Sequence, residues 1–255
     1  MGDIFEHKFC KYNLENLRPM YEMFEDLKWE PKLDSSGFYR PTNPPKLNNL
    51  LSYHFYVFQY MANLLSAVER LSHIEVFINK FPSPKTYEKN GITEDRWIEY
   101  HYSNYNGTQV TIFDTAVLLV NEVLILGLGP KECNERTVLR NSKVEFTKVG
   151  KALQKLRNDT EKYRNPRNLA VHRGQETDLG VLQVPSALSL LQKAGTPMIE
   201  INKLNKIYKL TRRVIVYDLH HQTQTVTDNI SHLFDALFEH YDLQTRVYQM
   251  ETKSI

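Results

Sequence analysis

The sequence predicts an all-α protein, a helical bundle of four or more long helices with an irregular N-terminal segment. Apolar side chains recur at steps of three and four residues through several long stretches. Residues that start or stop helices, mainly Asn, Thr, Pro and Gly, border these stretches. Long helices joined by modest connections are typical of bundles. We expect an irregular segment over residues 1–45 that packs on the body, and a helical domain over residues 46–255.

The bulk composition argues against several classes of protein. A chain of 255 residues can bury a sizeable core, and its net charge of +2 means that any nucleic-acid surface is local. Cys10 and Cys133 form no CxxC pair, which argues against a disulfide framework or a zinc site and fits a reducing compartment. The most apolar run is interrupted by Asn121 and Glu122, and residues 1–9 do not resemble a secretory signal. We expect a cytoplasmic protein with no membrane association.

The first forty-five residues are rich in aromatic residues and proline, and we expect irregular structure with short helices there. A long amphipathic helix follows, with Asn43 and Pro44 as its start signal and Pro82 as its stop. Its apolar positions are Leu47, Leu50, Leu51, Phe55, Phe58, Met61, Leu65, Val68 and Leu71.

A second helical region is predicted from Thr93, a suitable cap, to about Leu128. The pair Asn106-Gly107 leaves open a division into two pieces. A cluster of tyrosines lies in this region, at positions 100, 102 and 105. Tyrosines can stack on RNA bases, but packing within the bundle is the favoured interpretation.

A third helix is predicted from Ser142, which forms a capping-box pattern with Glu145, to about Asn165. Pro166 cannot lie in a helix interior, so we expect a new short helix with Asn165 as its cap, ending at Gly174. Another short helix is expected near residues 186–193. The last helical region covers about residues 204–241, with a strand at "RVIVYDL" as an open alternative.

The stretch "YRNPRNLAVHRGQE", residues 163–176, is the candidate site. If Pro166 begins a helix, Arg167 lies in its first turn, where free N–H groups and the helix dipole favour an anion, and its guanidinium matches a phosphate. His172 lies near the helix end, where the dipole favours its protonated form and suits it to acid–base chemistry. Asn168 shares a face with His172 and can orient the imidazole or bind substrate.

Arg167 and His172 are separated by about 140° around the helix and about 7.5 Å along it. One copy therefore brings both to a single phosphate only with difficulty. A two-fold interface between two copies of this helix would place two arginines and two histidines around one cleft. Such a cleft can cleave RNA without a metal, because histidines can move the protons and arginines can stabilise the charged phosphorane.

The stretch "RNLAVH" resembles the Arg-Asn-x-x-x-His motif of the HEPN superfamily, within a chain that is predicted to be all-α. The resemblance covers about residues 45–245 as an architecture. It implies a helical bundle that dimerises through the motif helices and, in many members, a metal-independent endoribonuclease of toxin–antitoxin, antiviral or RNA-processing systems. It implies catalytic roles for Arg167 and His172 and a supporting role for Asn168. One variant of the family has Tyr two residues after the histidine, where this chain has Gly174.

Local charge supports an RNA partner. Residues 143–173 contain nine Lys and Arg against three acids, and residues 203–213 contain five basic residues and no acid. Solvated helix faces would explain the same charges. We expect Arg164 and Arg173 to contact flanking phosphates. Asp114, in the apolar stretch "TIFDTAVLL", is either a supporting acid for the motif arginine or a surface acid.

Two further expectations concern ligands and alternatives. His220, His221 and His232 are the nearest approach to a metal-ligand cluster, but their spacing does not fit one, so neither a metal nor a cofactor is expected. The partners expected are RNA or a nucleotide, a second copy of the chain, and an antitoxin or regulatory protein. A non-catalytic module that binds a nucleotide or a protein, and a purely structural bundle, remain as alternatives.

Overall fold

The computed structural model confirms the all-α prediction and places six α-helices within the residues that it describes. These helices are α1 (Lys8–Asp26), α2 (Asn49–Asn79), α3 (Glu94–Val123), α4 (Glu135–Leu139), α5 (Lys148–Thr160) and α6 (Met198–Lys253). Two short antiparallel strands, β1 (Pro31–Leu33) and β2 (Tyr39–Pro41), and 3-10 helices at Ile4–Glu6 and Glu161–Tyr163 complete the elements. The described residues are 4–26, 31–33, 39–41, 47–80, 87, 89–164, 168, 191, 194–195 and 197–253.

The chain forms two compact units. The first unit comprises Met1–Asn63, Thr115–Leu153 and Ser231–Ile255, and the second comprises Leu64–Asp114 and Gln154–Ile230. Each unit has its own apolar core. The core of the first includes Phe9, Leu17, Met61, Leu119, Val149, Phe234 and Leu237. The core of the second includes Leu71, Ile78, Ile98, Ile112, Phe113, Leu156 and Leu219.

The N-terminal segment is more regular than the sequence predicted. Instead of irregular structure with short helices it contains the 19-residue helix α1, which has Pro19 in its interior. Proline disfavours a helix interior, but α1 buries one continuous face in the first unit, and this burial outweighs the missing hydrogen bond. Phe9 stacks on Phe234 with ring centres 5.1 Å apart, and the Asn13 amide donates to the Tyr241 hydroxyl at 2.7 Å.

Helix α2 confirms the first predicted long helix, but its start differs. The expected start signal, Asn43 with Pro44, lies outside the described residues, as does Pro82. The observed cap is Asn48, whose side-chain oxygen accepts a hydrogen bond from the Leu51 N–H at 2.8 Å.

Helix α3 runs without interruption through Asn106 and Gly107, so a division there is wrong. Asn106 is buried within this continuous helix, and packing of the α3 face overrides the local turn preference of Asn-Gly. The helix ends at Val123, before the predicted Leu128. The Asn121 side chain explains this end, because it accepts from the Leu128 N–H at 3.1 Å and donates to the Leu128 carbonyl at 3.3 Å.

The start predicted for the third helix is wrong. Residues 142–146 form turns, and the helix α5 begins at Lys148. Thr147 takes the capping role, since its hydroxyl accepts from the Gly150 N–H at 3.2 Å. The buried side chain of Val144 anchors the preceding turn. A regular α-helix also ends earlier than expected, at Thr160, and the 3-10 helix Glu161–Tyr163 follows.

Helix α4, which the sequence analysis did not predict, lies between α3 and α5. The Asn134 side chain accepts from the Thr137 N–H at 3.1 Å and caps this single turn.

Helix α6 is longer than predicted, with 56 residues, and the strand alternative for "RVIVYDL" is wrong. Exposure follows the helical period here, since Val214 and Tyr217 face solvent while Leu219 is buried. The short helices expected over residues 166–174 and 186–193 lie outside the described residues, apart from Asn168 and Leu191, which are helical. None of the described helices combines the length and apolar character that crossing a membrane requires.

Candidate functional site

Arg164 is the predicted site residue that the structure defines best. It follows the 3-10 helix Glu161–Tyr163 with helical dihedral angles, φ −65° and ψ −45°, three residues before Arg167. Its Nη2 atom lies 3.7 Å from Oδ1 of Asp114, and its Nε atom lies 3.5 Å from Oε2 of Glu161. Its guanidinium carbon lies 6.0 Å from the centre of the Phe113 ring. Side chains at the end of the α5 segment and on one face of α3 thus hold a cation three residues before the motif in the sequence.

The ion pairs of Arg164 with Asp114 and Glu161 are not well-formed hydrogen bonds. Both distances exceed the usual 2.7–3.2 Å for N–H···O. The Arg164 side chain is 33% exposed and that of Asp114 is 56% exposed, so water screens the pair. Such pairs stabilise a fold by less than about 1 kcal/mol. A phosphate group can therefore compete with these carboxylates for the arginine.

Asp114 lies on the solvent side of α3, between buried Phe113 and Thr115. This is the surface-acid alternative, although the acid does pair with an arginine of the candidate stretch. That arginine is Arg164. Whether Asp114 also supports Arg167 stays a prediction, because Arg167 lies outside the described residues.

A buried tyrosine pair packs in the second unit next to Arg164. The rings of Tyr105 and Tyr163 meet edge to face with centres 5.9 Å apart, and the Tyr105 hydroxyl donates to the Leu219 carbonyl at 3.1 Å. Burial raises the pKa of Tyr105 to about 12 and also raises the pKa of Tyr163, so both phenols stay protonated. Tyr105 therefore belongs to the core, as the favoured interpretation predicted, whereas Tyr100 is exposed.

The other predicted site residues are defined only in part. Asn168 is helical and partly exposed. Arg167, His172 and Arg173 lie outside the described residues, so their catalytic and phosphate-binding roles stay predictions. The structure brings together Asp114 and Arg164 from the predicted set.

The histidines that were considered as metal ligands do not form a cluster in the described part of the chain. His220 Nδ1 lies 3.0 Å from Oε2 of Glu75, which gives it a carboxylate partner rather than a histidine one. In that part of the chain, no group of three His, Cys, Asp or Glu side chains is placed to hold a metal ion.

Sequence reasoning missed two features of the second unit. Glu161 lies three residues before Arg164, a helical spacing that was a usable signal for their ion pair. A groove of about 410 Å³ is lined by Glu75, Val76, Asn79, Arg213, Val216, Tyr217 and His220. No local pattern signals this groove, since it joins segments of α2 and α6 that are far apart in sequence.

Comparison with known proteins assigns the chain to a family. Searches of curated proteins and of solved structures each found no significant similarity. The model of the Cthe2314-like HEPN family matches residues 11–238, from within α1 to within α6. The matched region includes the stretch "RNLAVH" and the ion pair of Asp114 with Arg164. The chain therefore belongs to the HEPN superfamily, as a member of the Cthe2314-like HEPN family.

Proposed function

We propose that the protein is a metal-independent endoribonuclease of the HEPN type that acts as a homodimer. The observation that carries the proposal is the Arg-Asn-x-x-x-His sequence, Arg167 to His172, inside the region matched by a HEPN family model. A fixed, partly exposed cation at Arg164 supports it, because this cation lies three residues from the motif.

The proposed reaction is an internal transesterification, in which the ribose 2′-oxygen replaces the 5′-oxygen on phosphorus. A base, His172 or a neighbouring group, takes the proton of a ribose 2′-hydroxyl, and that oxygen attacks the adjacent phosphorus. The bond from phosphorus to the 5′-oxygen breaks, and this oxygen receives a proton from the second copy's His172. Arg167 stabilises the charge of the phosphorane, and Asn168 orients the imidazole. The products are a 2′,3′-cyclic phosphate and a 5′-hydroxyl.

The dimer is part of this proposal because, on the predicted motif helix, Arg167 and His172 would lie about 140° apart. Pairing the motif helix with its copy would place two arginines and two histidines around one cleft. Arg164 and Arg173 then hold flanking phosphates. We place this activity in the cytoplasm, in a toxin, antiviral-defence or RNA-processing system, where an antitoxin or regulatory protein controls it.

Cleavage of RNA in the presence of excess EDTA tests the proposal. Purified wild type, His172→Ala and Arg167→Ala are incubated with labelled single-stranded, structured and transfer RNAs. We expect wild type to cleave, and each variant to lose at least about 100-fold in rate, as loss of a general acid–base group does. Thermal unfolding checks that the variants fold. If folded wild type leaves all three RNA classes intact, the nuclease proposal is wrong.

The same proteins separate the nuclease from a non-catalytic binding module. A module of that kind would gain thermal stability with a nucleotide, would lose this gain in Arg167→Ala, and would leave RNA intact.

A further inference from the structure

The groove between α2 and α6 in the second unit combines groups that suit one ligand class. Its lining brings together a guanidinium from Arg213, a phenol from Tyr217, an imidazole from His220, a carboxylate from Glu75 and an amide from Asn79. Its volume of about 410 Å³ falls within the range of small-molecule sites, which suits a single nucleotide.

A strip of positive charge leads into this groove along α6. Four exposed basic side chains, at Lys203, Lys206, Lys209 and Arg213, occupy one face of the helix. At about 100° per residue they lie within an arc of about 120°, and they extend over about 15 Å of the helix axis. Residues 203–213 include no acid. Among the described residues, no carboxylate forms an ion pair with these four side chains. This strip is therefore available to a polyanion.

Arg212, on the same helix, has a structural role that contrasts with the exposed strip. Its guanidinium pairs with Glu94, and its Nε atom donates to the Ile78 carbonyl at 3.0 Å. Its side chain is only 19% exposed. Arg213, one residue later, points to solvent and lines the groove. The two neighbours thus divide their roles, since Arg212 holds the helices together and Arg213 faces outward.

Tyr217 supplies an aromatic surface at the groove. The residue is 70% exposed, so its ring adds little to the core. It lies within the same arc of α6 as the basic strip. Unstacked RNA bases pack on exposed aromatic rings, and this contact tolerates any base.

The pair of Glu75 and His220 supplies oriented polar atoms. The Glu75 side chain is 12% exposed and holds Nδ1 of His220 at 3.0 Å. With Nδ1 engaged, Nε2 of the same ring is the nitrogen that can donate to or accept from a ligand. Base edges carry donors and acceptors of this kind.

We propose that this groove is a nucleotide subsite for single-stranded RNA. One base stacks on Tyr217, its phosphate pairs with Arg213, and the strand continues along Lys209 and Lys206. The inference rests on the proposed function to the extent that RNA is the ligand. An acidic peptide would fit the cations but would leave the exposed ring and the oriented imidazole without a role.

Binding measured in a His172→Ala background tests this subsite, because the RNA then stays intact. Fluorescence anisotropy of a labelled single-stranded oligonucleotide in EDTA gives the affinity. We expect Tyr217→Ala to weaken binding about tenfold and Tyr217→Phe to retain it, since stacking needs the ring and not the hydroxyl. The matched control is Tyr100→Ala, which removes another tyrosine that is 65% exposed and leaves binding unchanged.

Charge reversal tests the strip independently. Arg213→Glu and Lys206→Glu are expected to weaken binding, and Arg213→Ala to reduce the slope of log affinity against log salt by about 0.7, the value for one phosphate contact on a single strand. Lys131→Glu, at an exposed lysine outside α6, is the control and leaves the slope unchanged.

Several results would overturn the inference. Unchanged binding by folded Tyr217→Ala would do so, as would an equal loss in Tyr217→Phe. Displacement of RNA by a glutamate-rich peptide at matched charge would identify an acidic-protein surface instead. Absence of RNA binding by the parent protein would also reject the subsite. The cleavage assay is judged separately: binding that needs Tyr217 without cleavage rejects the nuclease alone, and cleavage with binding that ignores Tyr217 rejects the subsite alone.

Discussion

Asp114 competes with any RNA phosphate for the guanidinium of Arg164. Because the Nη2 to Oδ1 distance of 3.7 Å marks a screened ionic contact, RNA can take the arginine from the acid. We expect Arg164→Ala to weaken RNA binding several-fold and to reduce the salt slope by about one contact. Asp114→Asn has the opposite effect, because it removes the competing charge. The measurement is RNA affinity against salt concentration in the His172→Ala background.

The sign of the Asp114→Asn effect decides between two roles for this acid. Tighter binding supports competition for Arg164. Weaker binding would contradict it and would favour a supporting role for Asp114 at the motif arginine.

Because of His54, we expect the stability of the first unit to depend on pH. Its imidazole is buried at 1% exposure and contacts the Tyr241 hydroxyl, and this burial lowers its pKa to about 4. In the unfolded chain the ordinary pKa is about 6.5, so between these values the unfolded state binds the extra proton. The free energy of unfolding should therefore fall as pH drops from about 6.5 to 4, by on the order of 3 kcal/mol from this residue.

Urea unfolding at pH 7.5 and pH 5 tests the role of His54. Loss of the His54 hydrogen bond destabilises His54→Gln at both pH values. The informative quantity is therefore the difference in the free energy of unfolding between pH 7.5 and pH 5. We expect a smaller change in the variant than in wild type. An equal change in both would assign the pH dependence to other groups, among them His7 and His101, whose pKa values burial also lowers.

At the scale of single residues, part of the candidate site could be predicted from the sequence. An acid in an apolar helical stretch was a visible signal, and the structure does pair Asp114 with an arginine of the candidate stretch. The identity of that arginine was not predictable, because the end of α3 and all of α4 and α5 lie between the two residues in the sequence. The contact of His220 with Glu75 was not predicted for the same reason, since 145 positions separate the two residues in the sequence.

Gly150 and Gly107 provide a matched comparison at the scale of elements. A Cβ at Gly150 would lie 2.3 Å from the Val144 carbonyl oxygen, whereas a Cβ at Gly107 would meet nothing within 4 Å. Both glycines lie in helices, where alanine is favoured by up to about 1 kcal/mol. We expect Gly107→Ala to raise the free energy of unfolding and Gly150→Ala to lower it by about 2 kcal/mol.

Urea denaturation of the two glycine variants checks this pair of predictions. If Gly150→Ala is as stable as Gly107→Ala, the turn at Val144 does not hold α5 as closely as the structure indicates.

Helix existence was predictable from apolar periodicity, while helix ends were not. The apolar period, together with bordering start and stop residues, identified α2, α3 and α6, and each of them buries a face. Ser142 with Glu145 suggested a start for α5, but the turn held by buried Val144 moves the start to the cap at Thr147. The proline content of the first forty-five residues favoured irregular structure there, but the long-range contacts of Phe9 and Asn13 determine α1.

At the scale of the whole molecule, the family match covers more of the chain than the resemblance in sequence did. The HEPN match begins at residue 11, within α1, although the resemblance seen in sequence began only near residue 45. Residues of α1 pack in the same unit as the end of α6, which explains why the matched region reaches back so far. The proposed division at residue 45 and the proposed homodimer are not fixed by this match, and both stay predictions.

The nature of the RNA ends produced in excess EDTA tests the nuclease most directly. Attack of the 2′-oxygen on the adjacent phosphorus predicts fragments with 2′,3′-cyclic phosphate and 5′-hydroxyl ends. Reactions of folded His172→Ala should contain no such fragments. Mass spectrometry of the products identifies these ends. Fragments with 3′-hydroxyl and 5′-phosphate ends, or equal cleavage by His172→Ala, would contradict a metal-independent site at the motif.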